Sequence, residues 1–223
     1  MKKPNINLLA VIVAVPVIGM TIIAPALTII KNDLNISFEN TQLILTLYFT
    51  FLAFGQILSG PFSDKYGRKP ILLLGASIYS ISAFFASLSS NIEILLILRC
   101  FQGFGAAACL SVGRTILSDC YEIKEAAKEM SKMTAIMAVI PISCFIFGGF
   151  LAEFLGWRTN LIALGLVSLI LIIAMSFLLN ETLIKKAKNI SFKKMFIVYR
   201  GLLKNLSFNF FTITTAMQTS MFF

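Results

Sequence analysis

The residue of this chain with the clearest capacity for chemistry is Arg99, which stands inside an apolar stretch. It follows Glu93 by six residues, so in a helix it would lie roughly 9 Å along the axis, within the hydrocarbon core of a bilayer. A charge at that depth costs about 2.5 to 3.5 kcal/mol, which favours a position facing a bundle interior or a wet cavity. The alternative is a long side chain that extends to the membrane surface. Helical spacing places Gln102 and Gly103 on the face of Arg99, so we expect a functional, hydrogen-bonding site there.

A cluster of charged residues lies between residues 60 and 70, where the chain reads GPFSDKYGRKP. Two uncharged stretches flank it, each long enough to cross a bilayer, so we predict a tight turn at the membrane face. Gly67 permits a backbone conformation that residues with a Cβ avoid, and we predict that Pro70 begins the next helix. Simple anchoring by basic residues would explain Lys65, Arg68 and Lys69 but not Asp64 or Gly67.

Helices that cross a membrane must position these groups. The chain has 58% hydrophobic residues, 13% charged residues and no histidine, which excludes a soluble globular protein. Uncharged runs near or above the roughly 20 residues of a membrane span cover residues 4–30, 40–63, 71–92, 133–152 and 159–180. A further span carries Arg99 and Arg114 between residues 93 and 119, and an apolar run covers residues 206–223. The sequence therefore predicts an all-α membrane protein with six complete spans and the start of a seventh.

The basic residues of the loops indicate how the spans are oriented. Loops on one side hold 15 lysines and arginines, whereas those on the other side hold only Lys31 and Arg158. By the positive-inside rule, we predict an inner-membrane protein with a cytoplasmic amino terminus. The net charge of +9 then belongs to loops at the lipid bilayer and requires no nucleic-acid partner.

The four cysteines, at positions 100, 109, 120 and 144, have neither CxxC spacing nor a histidine nearby. We therefore predict that they are packing residues, with no metal site and no cofactor. Other small residues recur every four positions and predict close helix contacts, because lipid is as apolar as leucine and cannot drive helices together. These sets are Gly55, Ser59 and Ser63; Gly105, Cys109 and Gly113; and Cys144, Gly148 and Ala152.

Residues 190–204 are basic and aromatic and too charged to span a membrane. A helix there would place Phe192, Phe196, Tyr199 and Leu203 on one arc, which predicts an interfacial helix. A flexible basic linker is the alternative. The predicted organisation is a six-span bundle over residues 1–180, a cytoplasmic central loop over residues 181–205, and the opening of a second half over residues 206–223.

Around Arg99 the chain reads LRCFQGFGAAA, and this pattern together with GPFSDKYGRKP resembles the major facilitator superfamily of transporters. The resemblance implies the amino-terminal six-helix half of that fold and a small-molecule substrate. It ties Arg99 to proton or substrate coupling and implies close packing at Gly103 and Gly105. It also implies a cytoplasmic gate with ion pairs among Asp64, Arg68 and Asp119. The other positions assigned to this gate are Gly60, Gly67, Lys69 and Arg114.

Within the superfamily, the chain resembles the drug-efflux branch related to bicyclomycin and chloramphenicol resistance. This resemblance rests on the stretch GRTILSDCYEIKEAAKEMSKM, the GWR at 156–158, and the packing positions Pro141, Gly148 and Gly149. It implies small-molecule efflux with the proton as coupling ion. Two positions depart from the pattern. Thr21 stands where the branch commonly has an aspartate four residues before a proline, and Cys144 and Phe145 replace the glycine-proline pair of antiporters.

The resemblance covers one half of a transporter, so we expect a truncated or split product that cannot transport without a second six-span half. Uptake or facilitated diffusion by the same fold, or an assembly module for a separately encoded half, are the alternatives. A retinal receptor would need a lysine in its last span, and residues 206–223 contain none. An intramembrane enzyme would need an acid pair or a nucleophile with a base, and the spans hold no His, Asp or Glu, so we predict no enzyme.

Overall fold

The structure is a computed structural model that describes residues 4–183 and 192–220. These residues form helices joined by short turns, with no β-strand among them. The helices are α1 (Ile6–Thr21), α2 (Leu27–Asp33), α3 (Phe38–Tyr66), α4 (Arg68–Ser87), α5 (Ile92–Cys120), α6 (Ile123–Leu155), α7 (Trp157–Leu178), α8 (Phe192–Lys204) and α9 (Leu206–Ser220). A 3₁₀ turn, Ala24–Ala26, separates α1 from α2. The chain divides into one unit over residues 1–186 and another over residues 187–223.

Six stretches of the first unit are long and apolar enough to cross a membrane, which confirms the predicted fold class. They are Ile6–Asp33, Phe38–Tyr66, Arg68–Ser87, Ile92–Cys120, Ile123–Leu155 and Trp157–Leu178. Several helices extend past the apolar runs, and α6 begins ten residues before the predicted run at residue 133. A helix can continue beyond the hydrocarbon because its backbone hydrogen bonds are internal to the segment, whatever surrounds it.

The turn predicted between residues 60 and 70 is shorter than expected. Helix α3 continues through Tyr66 and α4 begins at Arg68, so Gly67 alone joins them, with φ 115° and ψ 156°. Pro70 is the third residue of α4 and does not begin it. Proline fits there because the first turn of a helix has no intrahelical acceptor for its backbone N–H groups.

Glycines allow the helices to pack closely around α5. A Cβ on Gly103 would contact the backbone carbonyl of Tyr48 in α3, and a Cβ on Gly105 would lie 2.7 Å from the backbone nitrogen of Tyr79 in α4. A Cβ on Gly55 of α3 would lie 2.6 Å from the Cβ of Ala107 in α5. Backbones at these crossings lie too close to admit even a methyl group, which is the packing mode that small residues permit in membranes.

The second unit contains α8 and α9. Helix α8 coincides with the segment predicted to be an interfacial helix, and its position at a membrane surface stays a prediction. Residues 184–191 of the predicted central loop lie outside the described residues. The predicted seventh span falls on α9, Leu206–Ser220, and stays a prediction. The proposed domain boundaries likewise stay predictions.

Adjacent glycines of α6 provide a matched test of close packing. A Cβ on Gly148 would contact the Ile22 carbonyl and lie 2.9 Å from the Ile22 Cα, whereas a Cβ on Gly149 would have only Pro25 Cβ nearby, at 3.7 Å. Gly148→Ala should therefore lower the free energy of unfolding by about 1 to 3 kcal/mol through overpacking. Gly149→Ala should leave it within about 1 kcal/mol of wild type or raise it, because alanine favours helix.

Thermal unfolding of the purified chain in detergent measures both variants. Equal losses of stability at the two positions would contradict the assignment of close contact to Gly148 alone.

Candidate functional site

Arg99 lies at the centre of the bundle and is fully buried. Its Nη1 donates to Gln102 Oε1 at 2.6 Å, and Nη1 and Nη2 both donate to the carbonyl oxygen of Gly19, at 3.3 and 3.2 Å. Its Nε donates to the Ile44 carbonyl at 3.3 Å, and the guanidinium carbon lies 4.3 Å from the centre of the Tyr48 ring. The guanidinium therefore faces the bundle interior and hydrogen-bonds to Gln102, one turn further along α5.

The acceptors around Arg99 are neutral among the residues that the structure describes. Carbonyl dipoles, an amide oxygen and an aromatic face stabilise the charge in place of a carboxylate. One buried polar atom of this network, Gln102 Nε2, has no hydrogen-bond partner among the residues that the structure describes. Buried polar atoms without partners are costly, so the network has unused capacity for hydrogen bonding.

Thr21 occupies the position where the efflux branch commonly has an aspartate. It lies at the end of α1, two residues after the Gly19 carbonyl that binds Arg99, and it is buried. Its Oγ1 donates to the Val17 carbonyl in its own helix at 2.8 Å. The hydroxyl therefore satisfies a local hydrogen bond, and no hydrogen bond from it to the Arg99 side chain is found in the described residues.

A second cluster joins the ends of three helices around Arg68. The Nη1 of Arg68 lies 2.6 Å from Asp64 Oδ1 at the end of α3, and Nε lies 2.9 Å from Asp119 Oδ2 at the end of α5. The Arg68 side chain is only 8% exposed, against 54% for Asp64 and 28% for Asp119. Nη1 also donates to Ser63 Oγ at 2.6 Å. The structure thus brings together the three charged residues that the resemblance assigned to a gate.

Glu181, which the sequence analysis missed, completes this cluster from the segment after α7. Its Oε1 accepts from the backbone N–H of Arg68 at 2.9 Å, and its Oε2 accepts from that of Lys69 at 3.2 Å. The carboxylate therefore caps the amino terminus of α4, where the helix dipole favours negative charge. A Cβ on Gly67 would collide with this carboxylate, which adds a second reason for glycine there. The sequence feature that could have predicted this role is an acidic residue just after the sixth span, on the same side of the membrane as the basic turn.

The environment of Glu181 also sets its acidity. Burial by itself would raise the pKa of the carboxyl, but the backbone N–H groups of Leu183, Arg68, Lys69 and Thr182 outweigh this and hold the pKa below its ordinary value of 4.5. Hydrogen bonds to the charged form of an acid stabilise that form. Glu181 is therefore an anion at neutral pH.

Three other residues assigned to the gate have different surroundings. Lys69 Nζ donates to the Ser176 carbonyl of α7 at 2.7 Å. The carbonyl of Gly60 accepts from Ser63 Oγ at 2.8 Å and so supports the serine that touches Arg68. Arg114 is exposed, and in the described part of the chain it makes no hydrogen bond or ion pair with the Arg68 cluster. Pro141 lies in the interior of α6.

The Glu181 cap leads to a prediction about stability and pH. Glu181→Gln keeps an acceptor oxygen but removes the charge at the start of α4, so it should lower the thermal midpoint of the purified chain at neutral pH. Because the folded-state pKa is lowered, the stabilisation is present above the ordinary pKa of 4.5 and is lost as pH falls through the folded-state value. The difference between wild type and variant should therefore shrink in acid.

The control is Glu153→Gln, the same change at an exposed acid of α6. It should leave the midpoint unchanged at each pH. A deficit in Glu181→Gln that persists undiminished in acid would show that the carboxylate charge is not the cause.

Comparison with known proteins finds relatives in sequence and in fold. A bicyclomycin resistance protein homolog of Haemophilus influenzae is 31% identical over 174 residues, covering 78% of this chain and 44% of the relative. A chloramphenicol resistance protein of Pseudomonas aeruginosa is 29% identical over 207 residues, covering 92% of this chain and 48% of the relative. The chain thus spans less than half the length of these curated relatives.

Among solved structures, a bacterial homolog of the human lysosomal transporter Spinster, inward-facing and unoccupied, shares the fold with a TM-score of 0.70 and 20% identity. The match covers 84% of this chain and 45% of that one. The sequence model described as Major Facilitator Superfamily matches residues 9–223. Because that match takes in nearly all of the chain, this multi-pass membrane protein belongs to the major facilitator superfamily.

Proposed function

We propose that this chain is the amino-terminal half of an exporter of small organic molecules. The observation that carries the proposal is the Arg68 cluster, in which a buried guanidinium ties the ends of α3 and α5 to the start of α4. The names of the two curated relatives, which refer to bicyclomycin and chloramphenicol resistance, favour export of such compounds. The basic loops favour a cytoplasmic location for this cluster and for the amino terminus.

The Arg68 cluster has the properties expected of a cytoplasmic gate. Ion pairs near a membrane surface are stronger than in water, yet they remain within reach of water and can exchange partners. Asp64 and Asp119 are partly exposed while Arg68 is buried, so the acids can leave the guanidinium without a large change in their own solvation. We infer that this cluster stabilises one of the conformations between which the transporter alternates.

Arg99 is the residue that we assign to substrate or proton coupling. The Arg99 guanidinium is bound by neutral acceptors. An anionic group that entered the bundle would bind it more strongly than these acceptors do. Gln102 lies in the same network, and its unpartnered Nε2 offers a further hydrogen bond. Gly103 contributes by letting α3 approach α5 at this level.

Proton antiport requires a group that takes up and releases a proton. Residues 4–30, 40–63, 71–92, 94–118, 133–152 and 159–180 contain no Asp, Glu or His. We therefore propose that the proton-carrying acid belongs to a second six-span half, in the same polypeptide or in another, and that Arg99 senses it electrostatically. Transporters of this superfamily place their sites between two such halves.

Export can be tested with the complete transporter that contains this half, expressed in a drug-sensitive bacterial strain. Resistance to chloramphenicol and bicyclomycin should rise, and accumulation of labelled chloramphenicol should fall. Arg99→Ala should abolish both effects, because the charge assigned to coupling is lost, while membrane insertion persists. Lys128→Ala, at an exposed lysine near the start of α6, should behave as wild type.

Unchanged resistance in Arg99→Ala would overturn the role of this arginine. Accumulation of chloramphenicol above that of the empty strain would instead support uptake. Transport by the purified chain alone in liposomes would contradict the need for a second half.

Cys120, next to Asp119 in the Arg68 cluster, reports the orientation of the bundle. In a variant with Cys100, Cys109 and Cys144 replaced by serine, a membrane-impermeant maleimide should label Cys120 only after cells are permeabilised. A cysteine introduced at Asn35, between α2 and α3, should be labelled in intact cells. The reverse labelling pattern would place the amino terminus outside.

A further inference from the structure

A third cluster lies at the end of the bundle opposite Arg68 and joins the end of α2 to the start of α7. Asp33 Oδ2 accepts from Trp157 Nε1 at 2.9 Å and from Arg158 Nη1 at 2.8 Å. Arg158 Nη2 also donates to the carbonyl of Ser89, in the turn between α4 and α5, at 3.2 Å. The guanidinium carbon of Arg158 lies 4.3 Å from the centre of the Trp157 ring. One arginine thus holds three elements together.

The turn that carries this cluster has the same backbone geometry as the turn at Gly67. Gly156 alone joins α6 to α7, with φ 86° and ψ 154°, just as Gly67 joins α3 to α4 with φ 115° and ψ 156°. These are the two glycines with positive φ in the described ranges 4–183 and 192–220. In each case an arginine follows the glycine within two residues and binds the carboxylate of a distant helix end.

The two contacts are reciprocal. Half-bundles of this superfamily are built from two three-span repeats of inverted topology, here the spans formed by α1–α4 and by α5–α7. Arg68, in the turn between the second and third spans of the first repeat, binds Asp119 at the end of the first span of the second repeat. Arg158, in the corresponding turn of the second repeat, binds Asp33 at the end of the first span of the first repeat.

Solvent exposure distinguishes the two contacts. The side chains of Arg158 and Asp33 are 42% and 45% exposed, whereas that of Arg68 is 8% exposed. Among the described residues, Arg158 has one carboxylate partner and Arg68 has two. Exposed ion pairs contribute less than buried, multiply bonded ones, so the Asp33 contact is the easier of the two to open. Trp157, by contrast, is 2% exposed and seals the base of the cluster.

Helix α2 is the element that this cluster holds in place. It has seven residues and is separated from α1 by the 3₁₀ turn Ala24–Ala26, so its far end is not held by a continuous helix. Leu27, Thr28 and Lys31 of α2 form one wall of a cleft of about 440 Å³ whose other wall is the first half of α3. The position of α2 therefore determines the width of this cleft.

We propose that Asp33, Trp157 and Arg158 form an outer latch, the reciprocal counterpart of the Arg68 cluster, which positions α2 and so sets the width of the cleft between α2 and α3. The outer location of this latch rests on the proposed function, in which the Arg68 cluster faces the cytoplasm. Opening of the latch frees the end of α2 from α7 and from the turn before α5. The Arg68 cluster stays intact when this happens, since no residue is shared between them.

Trp157 allows a direct test because it is the one tryptophan of the chain. Its fluorescence in the purified full chain, reconstituted in vesicles, should be blue-shifted and poorly quenched by iodide while the latch is closed. Asp33→Ala removes both acceptor contacts and should shift the emission to the red and raise the quenching constant several-fold. Asp33→Asn, which retains an oxygen for the indole N–H but not the charge, should give an intermediate result.

Two controls separate a local latch from loss of fold. Glu153→Gln alters an exposed carboxylate four residues before Trp157 and should leave emission and quenching unchanged. Arg68→Gln disrupts the opposite cluster and should also leave them unchanged. Reversal of the pair, Asp33→Arg with Arg158→Asp, should restore part of the protection that Arg158→Asp alone removes.

Wild-type quenching in Asp33→Ala, or an equal rise in Arg68→Gln, would overturn the proposal. The measurement requires no transported compound and no second half, so its result is independent of the resistance assay. Failure of the latch would leave the export proposal standing, and failure of export would leave the latch standing.

Discussion

The bundle depends on the burial of the Arg99 guanidinium, which has no carboxylate partner among the residues that the structure describes. Arg99 is satisfied only because α1 and α3 bring backbone carbonyls to within hydrogen-bond distance of α5. Such an approach requires residues without side chains, and Gly103 and Gly19 provide it. A Cβ on Gly103 would meet the backbone of α3, and a Cβ on Gly19 would meet the hydroxyls of Tyr48 and Tyr79. The glycines therefore permit the close helix packing that supplies Arg99 with its carbonyl acceptors.

The first span shows the same dependence from the other side. Carbonyls at Pro16, Gly19 and Ile22 each accept a hydrogen bond from a side chain of a different helix. The donors are Tyr48 of α3, Arg99 of α5 and Asn160 of α7. Gly19 and Ile22 lie where α1 ends, and the last carbonyls of a helix have no intrahelical N–H partner, so they need donors from neighbouring helices where lipid can supply none. The break between α1 and α2 is thus stabilised by the bundle as a whole.

The same combination of a glycine turn and an arginine–carboxylate pair occurs at both ends of the bundle, but the pair is less exposed at one end than at the other. At each end a single glycine of positive φ turns the chain between two helices, and an arginine beside it binds an acid from the other repeat. At one end the arginine is buried between two carboxylates, with Glu181 capping the helix that it begins. At the other end the pair is half exposed and rests on an indole ring. We therefore expect the Arg68 cluster to be the more stable of the two and the Asp33–Arg158 contact to open more easily.

The sequence by itself determined the class of protein, the six spans and the place of Gly67. These features follow from hydrophobic run length and from the φ that glycine permits, both of which are local. The association of Asp64 with Arg68 was implied by the family resemblance, because Gly67 separates the two residues into different helices. The sequence also singled out Arg99, because a charge within an apolar run is costly whatever surroundings its side chain has in the fold. Only the tertiary structure decided that Arg99 rests on neutral acceptors, that Glu181 caps α4, and that Asp33 meets Arg158. Apart from Gln102, which lies one turn from Arg99, these hydrogen-bond partners lie 55 to 125 residues apart in the chain, and only the crossing of helices brings such distant groups to one place.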